Sequence, residues 1–595
     1  MGLNLTDKTI AVLPFVNMSS NEENEFFSDG ITEEVINALA KIGHLKVTSR
    51  TSSFFFKGKN LPIQTIGKQL DVSTILEGSV RISGKDLRIT AQLIQVEEDF
   101  HYWSETWDRK LENIFEIQDE ISLLIADKLR ESLGHFEIQE HLVDKQTNSI
   151  DAYAYSLKAK FHANRWNPED VKIAISLYEK ALELDPSHTE SHLGLADCYS
   201  FMGTTGFMPF EEAWGKTIQF TNQALQLNDK LSGVHYQLAN QAFFIACDFT
   251  QSLKEILLAI QLNPNHAEAQ QFVAFLYILS GDKKHSKKHL EIALKINPLS
   301  EETKFFYAYF HYMTGEFEQC LKLVEDCLLV NNKNIPAHAV KSICLLMLGR
   351  YDEVIQYFDT IPSEVVILGE KTGAIALAYA FKKDEKNSRK YLGLLKEQAK
   401  DPNGFTADSY LFLMHAVMGN TEDAFEWVSN AIQNKSALLL LRFSDPLVYA
   451  IKEDPRYGVF HKRLFQHDLN SGDKSKKKVL LDEVTASEYS QKLLAHIHAD
   501  EPFLDAGLSL RSLAQQLDIH PNQLSWLLNK NLGKNFNEFI NHYRIETFKS
   551  LAIDPKNSNI TIMGLAYESG FNSKTVFNTY FKKETGLTPK QFLKQ

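Results

Sequence analysis

A six-residue phrase returns along the middle of this 595-residue chain at a nearly fixed step. Ala181-Leu-Glu-Leu-Asp-Pro186 comes back as Ala224-Leu-Gln-Leu-Asn-Asp229, Ala259-Ile-Gln-Leu-Asn-Pro264 and Ala293-Leu-Lys-Ile-Asn-Pro298, with a degenerate copy at Cys327-Leu-Leu-Val-Asn-Asn332. Asn263, Asn297 and Asn331 lie 34 residues apart, and Asn228 precedes Asn263 by 35. The first interval is longer because Gly203-Thr-Thr-Gly-Phe-Met-Pro-Phe210 inserts a loop. In each copy an amphipathic helix runs into a polar residue, and where a proline follows it cannot continue the helix. A unit of this length is one helical hairpin, which cannot bury its apolar face alone and must stack on its neighbours.

That period is the one of tetratricopeptide repeats. Weaker copies continue around Ala374–Ala399 and Ser409–Ile432, and the array closes near Asp445-Pro-Leu-Val and Asp454-Pro-Arg-Tyr457. Such a stack leaves a concave groove suited to a peptide or protein partner. The bland alternative is a superhelix that only spaces the end domains.

The last hundred residues carry a second kind of repetition. Ser509-Leu-Arg-Ser-Leu-Ala-Gln-Gln-Leu-Asp-Ile519 aligns with Thr561-Ile-Met-Gly-Leu-Ala-Tyr-Glu-Ser-Gly-Phe571. Past the turn the offset grows by one, so that Leu524 meets Phe577, Leu528 meets Phe581 and Gly533 meets Gly586. Ser509 and Thr561 stand where a hydroxyl caps a helix. Leu510, Leu513, Ala514 and Leu517 form one buried face. Gly570 suits a left-handed helix end and Pro521 the first turn of the next helix. Each copy is thus a helix-turn-helix unit, whose second helix is the one laid into the DNA major groove.

Residues from about Asp500 to Gln595 resemble the DNA-binding domain of the AraC family of bacterial regulators. The likeness rests on Ala566-Tyr-Glu-Ser-Gly-Phe-Asn-Ser573, Phe577, Phe581-Lys-Lys-Glu-Thr-Gly-Leu-Thr-Pro589 and Phe592. It implies two subdomains joined by one helix, roughly Phe536 to Leu551. It also implies base contacts from Asn522, Ser525 and Trp526 in the first unit and from Lys574, Thr575, Asn578 and Thr579 in the second. Many family members carry Arg where this chain has Trp526 and Thr579, and Arg is the usual bidentate partner of guanine. Readout is therefore expected to lean on Asn522, Asn578 and Lys574. Lys530, Lys534, Lys582 and Lys583 flank the helices as phosphate contacts, which position a protein without specifying sequence.

Charge partition agrees. From Lys474 onward there are 16 Lys and Arg against 12 Asp and Glu, whereas residues 1–473 hold 47 against 64. A mildly basic reader on a strongly acidic body suits a protein whose larger part stays off DNA.

The N-terminal segment reads as mixed α/β. Thr9-Ile-Ala-Val-Leu-Pro-Phe15 is a short strand, and Phe26–Leu39 and Ile63–Leu70 are helical. Thr74–Ile82 and Asp86–Val96 form a hairpin about Ser83-Gly84-Lys85, with Leu87, Ile89, Ala91 and Leu93 alternating onto one face. Tyr102–Trp107 is a further strand, and a helix starts near Asn113. Ala11-Val-Leu-Pro-Phe15, Phe27-Ser-Asp-Gly-Ile31, Leu76-Glu-Gly-Ser-Val80 and Arg88-Ile-Thr-Ala-Gln-Leu93 resemble the TolB-N-terminal-like domain. In bacterial regulators and adenylate cyclase-type proteins that domain precedes tetratricopeptide repeats.

Chemistry-bearing motifs are sparse. Gly78 to Lys85 is one residue too long for a phosphate loop and lacks its hydroxyl. His285 and His289 are spaced like metal ligands but sit among Lys283, Lys284, Lys287 and Lys288, which points to a solvated helix face. The five cysteines lack metal-type spacing and suit a reducing compartment. No apolar run reaches bilayer-spanning length and no secretory signal is visible.

The expected architecture is multidomain and mainly α. It comprises an α/β domain at 1–135, a tetratricopeptide-repeat α-solenoid at 150–465, a polar linker at 466–480 and an all-α double helix-turn-helix domain at 485–595. The expected protein is a cytoplasmic, sequence-specific transcriptional regulator, not an enzyme, without cofactor or metal. Its expected partners are double-stranded DNA, a protein or peptide in the repeat groove and a small-molecule effector, with no membrane and a homodimer as a further expectation. The rival reading is an interaction scaffold with weak or accessory DNA binding.

Overall fold

The computed structural model describes residues 8–593 apart from 20–24, 43–44, 111–113, 140, 144–146, 148, 164–167, 363–364, 402, 437, 466–480, 482 and 558. The linker expected at 466–480 lies outside the described residues.

The N-terminal domain has one sheet in the order β3-β1-β4-β5-β6, with β2 pairing β4. Its strands are β1 (Thr9–Val12), β2 (Val16–Asn17), β3 (Lys46–Val47), β4 (Thr74–Ser83), β5 (Asp86–Gln95) and β6 (Phe100–Lys110). The expected first strand is broken at Pro14, after Val12, because proline brings no donor to a ladder. The hairpin is tighter than expected. Ser83 pairs with Asp86, leaving a two-residue Gly84-Lys85 turn with Gly84 at φ +62°. Leu87, Ile89, Ala91 and Leu93 are all buried. They share a core with Ile31, Val35 and Leu39 of α1 (Glu25–Ala40) and with Ile117, Ile121, Ile125 and Leu129 of α4 (Ile114–Leu133). The short α2 (Arg50–Phe54) and α3 (Ile63–Leu70) complete the domain.

Then come stacked hairpins. They are α5/α6 (Ile150–Ala163, Pro168–Leu184), α7/α8 (Thr189–Thr204, Phe210–Leu227), α9/α10 (Ser232–Phe244, Phe249–Leu262) and α11/α12 (Ala267–Leu279, Lys283–Ile296). They continue as α13/α14 (Glu301–Thr314, Phe317–Val330), α15/α16 (Ile335–Met347, Tyr351–Tyr357), α17/α18 (Glu370–Phe381, Glu385–Gln398) and α19/α20 (Phe405–Val417, Thr421–Asn434). Ala181, Ala224, Ala259 and Ala293, the first residues of the repeated phrase, are all fully buried, because only a methyl fits where the two helices meet. His285 and His289 do not form a solvated face. Both rings lie against Tyr277, His285 bonds Asp282, and buried His289 bonds Gln270.

The superhelix curls until its end meets its middle. A segment comprising α21 (Leu439–Phe443) and a 3-10 turn (Pro446–Ile451) follows the last hairpin. Ser444 donates to the Leu279 carbonyl, and Tyr312 donates to Asp445 at 2.5 Å. Cys247 reaches the Ser436 carbonyl, and Phe249 packs on Phe465 beyond α22 (Pro455–Leu464). At the seam Arg442 is buried over the Tyr410 ring, whose hydroxyl bonds Glu370. The groove expected to stand open is therefore partly filled by the chain's own segment.

Two histidines make the array acid-sensitive. Burial holds His188 and His289 down from 6.5 to about 4. Their folded values lie below the unfolded one, so their contribution is complete above pH 6.5 and is lost as pH falls toward 4. The limit is roughly 3 kcal/mol each. Asp197 and Glu302, raised to about 7 and about 8, gain stability over the same window, so the histidines are read by difference: the melting temperature of His289→Gln relative to the native protein is expected to rise as pH falls from 6.5 to 4.5. A melting-temperature difference between His289→Gln and the native protein that stays constant over that window would contradict this assignment.

Candidate nucleic-acid interface

The reader begins with α23 (Glu483–Asp500), whose Leu493 and Ile497 enter the core of the first unit. That unit pairs α24 (Leu510–Gln516) with α25 (Pro521–Lys530), and α26 (Phe536–Ile553) joins it to α27 (Ile562–Glu568) and α28 (Lys574–Thr585), with α29 (Pro589–Phe592) closing the chain. The caps stand where expected. Ser509 accepts from the Ser512 amide and Thr561 from the Gly564 amide, both at 3.1 Å. Gly570 takes φ +91°, and a Cβ there would lie 2.3 Å from the Phe503 carbonyl oxygen. That close approach also lets buried Arg544 donate to the Phe503 and Asp505 carbonyls, tying the two units together.

In the second unit the expected base-reading residues face outward. Lys574, Thr575 and Asn578 are exposed and Thr579 half-buried, all on α28. Lys582 is exposed beside them, whereas Lys583 is bound to Glu538 at 2.9 Å. Ser573 caps this helix, so its first turn is rigid where it would enter a groove.

The first unit is different, since its expected base-reading residues are engaged or covered in this arrangement. Asn522, at the start of α25, is already engaged. Its side-chain oxygen accepts from the Arg130 guanidinium and from the Ile138 amide at 3.3 Å, while its amide donates to the Ile138 carbonyl at 3.3 Å. Ser525 is buried, at 1 % exposure, with its hydroxyl unpartnered. Trp526 is half-buried against the unit's own core. Asn578, which occupies Ser525's place in the second unit, is exposed, so burial at that place is not a property of the motif. The cause lies across α25. A Cβ on Gly134, just after α4, would lie 2.6 Å from Asn529 Oδ1 one turn further on. Of the flanking lysines, Lys530 is exposed and Lys534 half-buried.

The covering surface is the end of α4, held by charge. Glu131 accepts from the Leu510 amide at 2.8 Å, where the opening amides of α24 favour a negative group. Asp127 receives Arg511 at 3.0 Å and Arg130 at 2.6 Å, and Asn535 donates to the Ser132 carbonyl at 3.0 Å. Arg130 is 1 % exposed, and burial lowers its pKa from the ordinary range; burial raises that of Glu131. Nothing in the local sequence of α4 marks it as a partner of the reader; its Asp127, Arg130 and Glu131 look like an ordinary helical charge pattern.

Among the described residues the cluster with metal-type donors is His542, Glu546 and Glu584. His542 is satisfied by Glu584 and Glu546 by Lys549 at 2.7 Å, so the group balances its charge internally.

Comparisons with known proteins agree with this anatomy. Residues 513–595 match the helix-turn-helix domain family, residues 6–124 the second domain of HilA/YgeH-like transcriptional regulators, and residues 282–361 subunit 3 of the anaphase-promoting complex (cyclosome). For the N-terminal domain the match is to a regulator's domain, and the TolB-like resemblance stays an expectation. The chain thus carries a helix-turn-helix domain at its C-terminal end. It is 32% identical over 119 residues to an uncharacterized regulator of this type, YijO of Escherichia coli, covering 20% of this chain and 41% of that one. It is 36% identical over 222 residues to putative adenylate cyclase 3 of Rhizobium meliloti, covering 37% and 36%. The chain therefore spans less than half the length of these relatives. A solved tetratricopeptide repeat protein from Parabacteroides merdae overlays with a TM-score of 0.29 at 13% identity, over 42% of this chain and 93% of that one. The solenoid assignment rests on the helix pairs and their step.

The second unit supplies a direct test of readout. Asn578→Ala and Lys574→Ala are expected to relax preference at individual bases, with about 1–3 kcal/mol lost per position. Lys582→Ala should weaken all sequences alike and lower the salt slope by about one. Competition binding against single-base operator variants separates the two patterns, and identical behaviour of all three variants would refute the placement of α28 in the groove.

Proposed function

We propose that this chain is a cytoplasmic, sequence-specific transcriptional regulator without catalytic activity, whose N-terminal domain and repeat array sense a signal and hold the reader closed until it arrives. Its working parts would be an α/β domain at 1–135, the array at 150–465 and the reader at 485–595. Base contacts would come from Lys574, Thr575, Asn578 and Thr579 at once, and from Asn522, Ser525 and Trp526 only after α4 withdraws. Lys530, Lys534, Lys582 and Lys583 would meet phosphates, Lys583 after leaving Glu538.

The observation that carries the reading is the capture of Asn522. Both ends of its amide are bonded to Arg130 and Ile138, and the same two ends would be needed for bidentate contact with adenine. One side chain cannot do both. With one unit covered, the chain would reach a single major-groove segment and lose the affinity of the second.

Breaking the clamp should therefore strengthen DNA binding. Charge-assisted buried hydrogen bonds contribute about 1.5–3 kcal/mol each, so Arg130→Ala or Asp127→Ala is expected to tighten binding to a selected operator by roughly tenfold or more. The measurement is a fluorescence titration of full-length variants on a sequence selected from random DNA at near-physiological salt. Unchanged or weaker binding in both variants would overturn the closed-state reading. Failure to select any sequence would favour the scaffold.

A further inference from the structure

The inner face of the array holds a group of acids that outnumber the bases near them. Asp197 on α7, Glu268 on α11 and Glu302 on α13 stand on the first helices of three of four consecutive hairpins. Tyr236 on α9 lies among them, since all three carboxylates act on its hydroxyl. Glu190 lies about two turns before Asp197 on α7, and Lys160 of α5 is the basic group in reach. Lys160 is bonded to Glu33 of α1, which Arg50 also holds at 3.0 Å. His266 bonds Ser232 at 2.6 Å and lies 3.6 Å from Glu268; burial lowers its pKa, so it brings no charge near neutral pH.

The place is a walled recess. The N-terminal domain is fastened along one edge, where Ser49 donates to the Ile296 carbonyl, Ser52 bonds Asn297 and Leu299, and Asn265 reaches the Ala40 and Leu45 carbonyls. The Leu439–Ile451 segment closes the other, bonded to Leu279 and Tyr312 near the far ends of α11 and α13. Asp197 is open to water, yet protein surrounds it closely enough that desolvation is the strongest influence on its carboxyl. Enclosed on two edges, the recess suits a small molecule better than an extended peptide.

A second observation points to a missing donor. Gln237 is 2 % exposed and gives its amide nitrogen to Asp197, so its amide oxygen sits beside that carboxylate, and this oxygen has no partner. Buried acceptors are normally satisfied. Gln271, fully buried one turn from Glu268, also has an unpartnered oxygen while its nitrogen bonds Thr303 at 2.6 Å. Aromatic rings complete the lining: Tyr236 lies 6.2 Å from Phe272, and Phe275 lies 5.6 Å from Tyr309.

We infer that this recess binds a small organic polycation, with ammonium groups taken by Asp197, Glu268, Glu302 and the Gln237 amide oxygen, and its alkyl chain lying on the aromatic rings. Ammonium groups supply the donors that these acceptors lack, and rings attract cations through their faces. Burial and mutual repulsion raise Asp197 to about 7 and Glu302 to about 8, so an unliganded recess holds protons that a cation would displace. Occupancy would act on Lys160 and Glu33, the ion pair nearest the N-terminal domain. This deepens the sensing role proposed above and rests on it for its regulatory consequence, not for binding.

The test is calorimetric titration of the full-length protein with spermidine, in the absence of DNA. Saturable binding is expected, with proton release seen as a dependence of heat on buffer ionisation. Displacement of the Asp197 proton alone gives a rise in affinity of about tenfold from pH 6 to pH 8, and displacement of the Glu302 proton makes the rise larger. Asp197→Asn and Glu302→Gln should each lower affinity by about tenfold or more without lowering the melting temperature, since each removes a repelled acid. Absence of saturable heat up to about 1 mM would overturn the proposal, as would unchanged affinity in both variants or binding of a lysine-rich peptide but not spermidine. A separate titration of operator DNA with and without spermidine isolates the regulatory role. Spermidine binding that leaves DNA affinity unchanged would retain the site and sink the sensing reading.

Discussion

A helical hairpin of the repeat array has apolar surface on both flanks, and everything else in the molecule follows from how those flanks are covered. Each hairpin covers its neighbour, and buried alanines such as Ala224 and Ala259 set the close approach within each pair. Curvature accumulates until the last segment meets the middle of the array, where Ser444 reaches Leu279 and Asp445 reaches Tyr312. A closed superhelix is stiffer than an open one, because its ends are tied by contacts far apart in sequence. It therefore offers a fixed edge, and the turns at Asn265 and Asn297 hold the N-terminal domain there. That domain in turn presents the end of α4 to the reader.

The contact between α4 and the first helix-turn-helix unit is built from charge rather than apolar surface. Asp127, Arg130 and Glu131 meet Arg511, Asn522 and the opening amide of α24. Such an interface suits a reversible closure. Ionic and polar partners can exchange for water, whereas a large apolar surface is costly to expose. The second unit is left with Lys574, Thr575 and Asn578 exposed, so the two units differ in what they present within one chain.

Much of this was legible in residues alone. The 34-residue step, the caps at Ser509 and Thr561, the left-handed Gly570 and the alternation along β5 are local signals, and each appears where local physics requires it. Errors arose where local pattern and tertiary context disagree. His285 and His289 sit in a lysine-rich helix, but Tyr277 from the preceding helix covers them. Ser525 has the spacing of an exposed reader and is buried because a domain nearly 400 residues away lies across its helix.

The sequence by itself determined the kinds of parts and their order: an α/β domain, stacked helical hairpins and paired helix-turn-helix units. Those follow from periodicity, capping and turn chemistry, which act within a few tens of residues. Tertiary structure alone decided which faces remain open. The filling of the groove by Leu439–Ile451, the gathering of Asp197, Glu268 and Glu302, and the capture of Asn522 join residues separated by tens to hundreds of positions. Superhelical curvature and domain docking bring them together, and neither is written in any one segment.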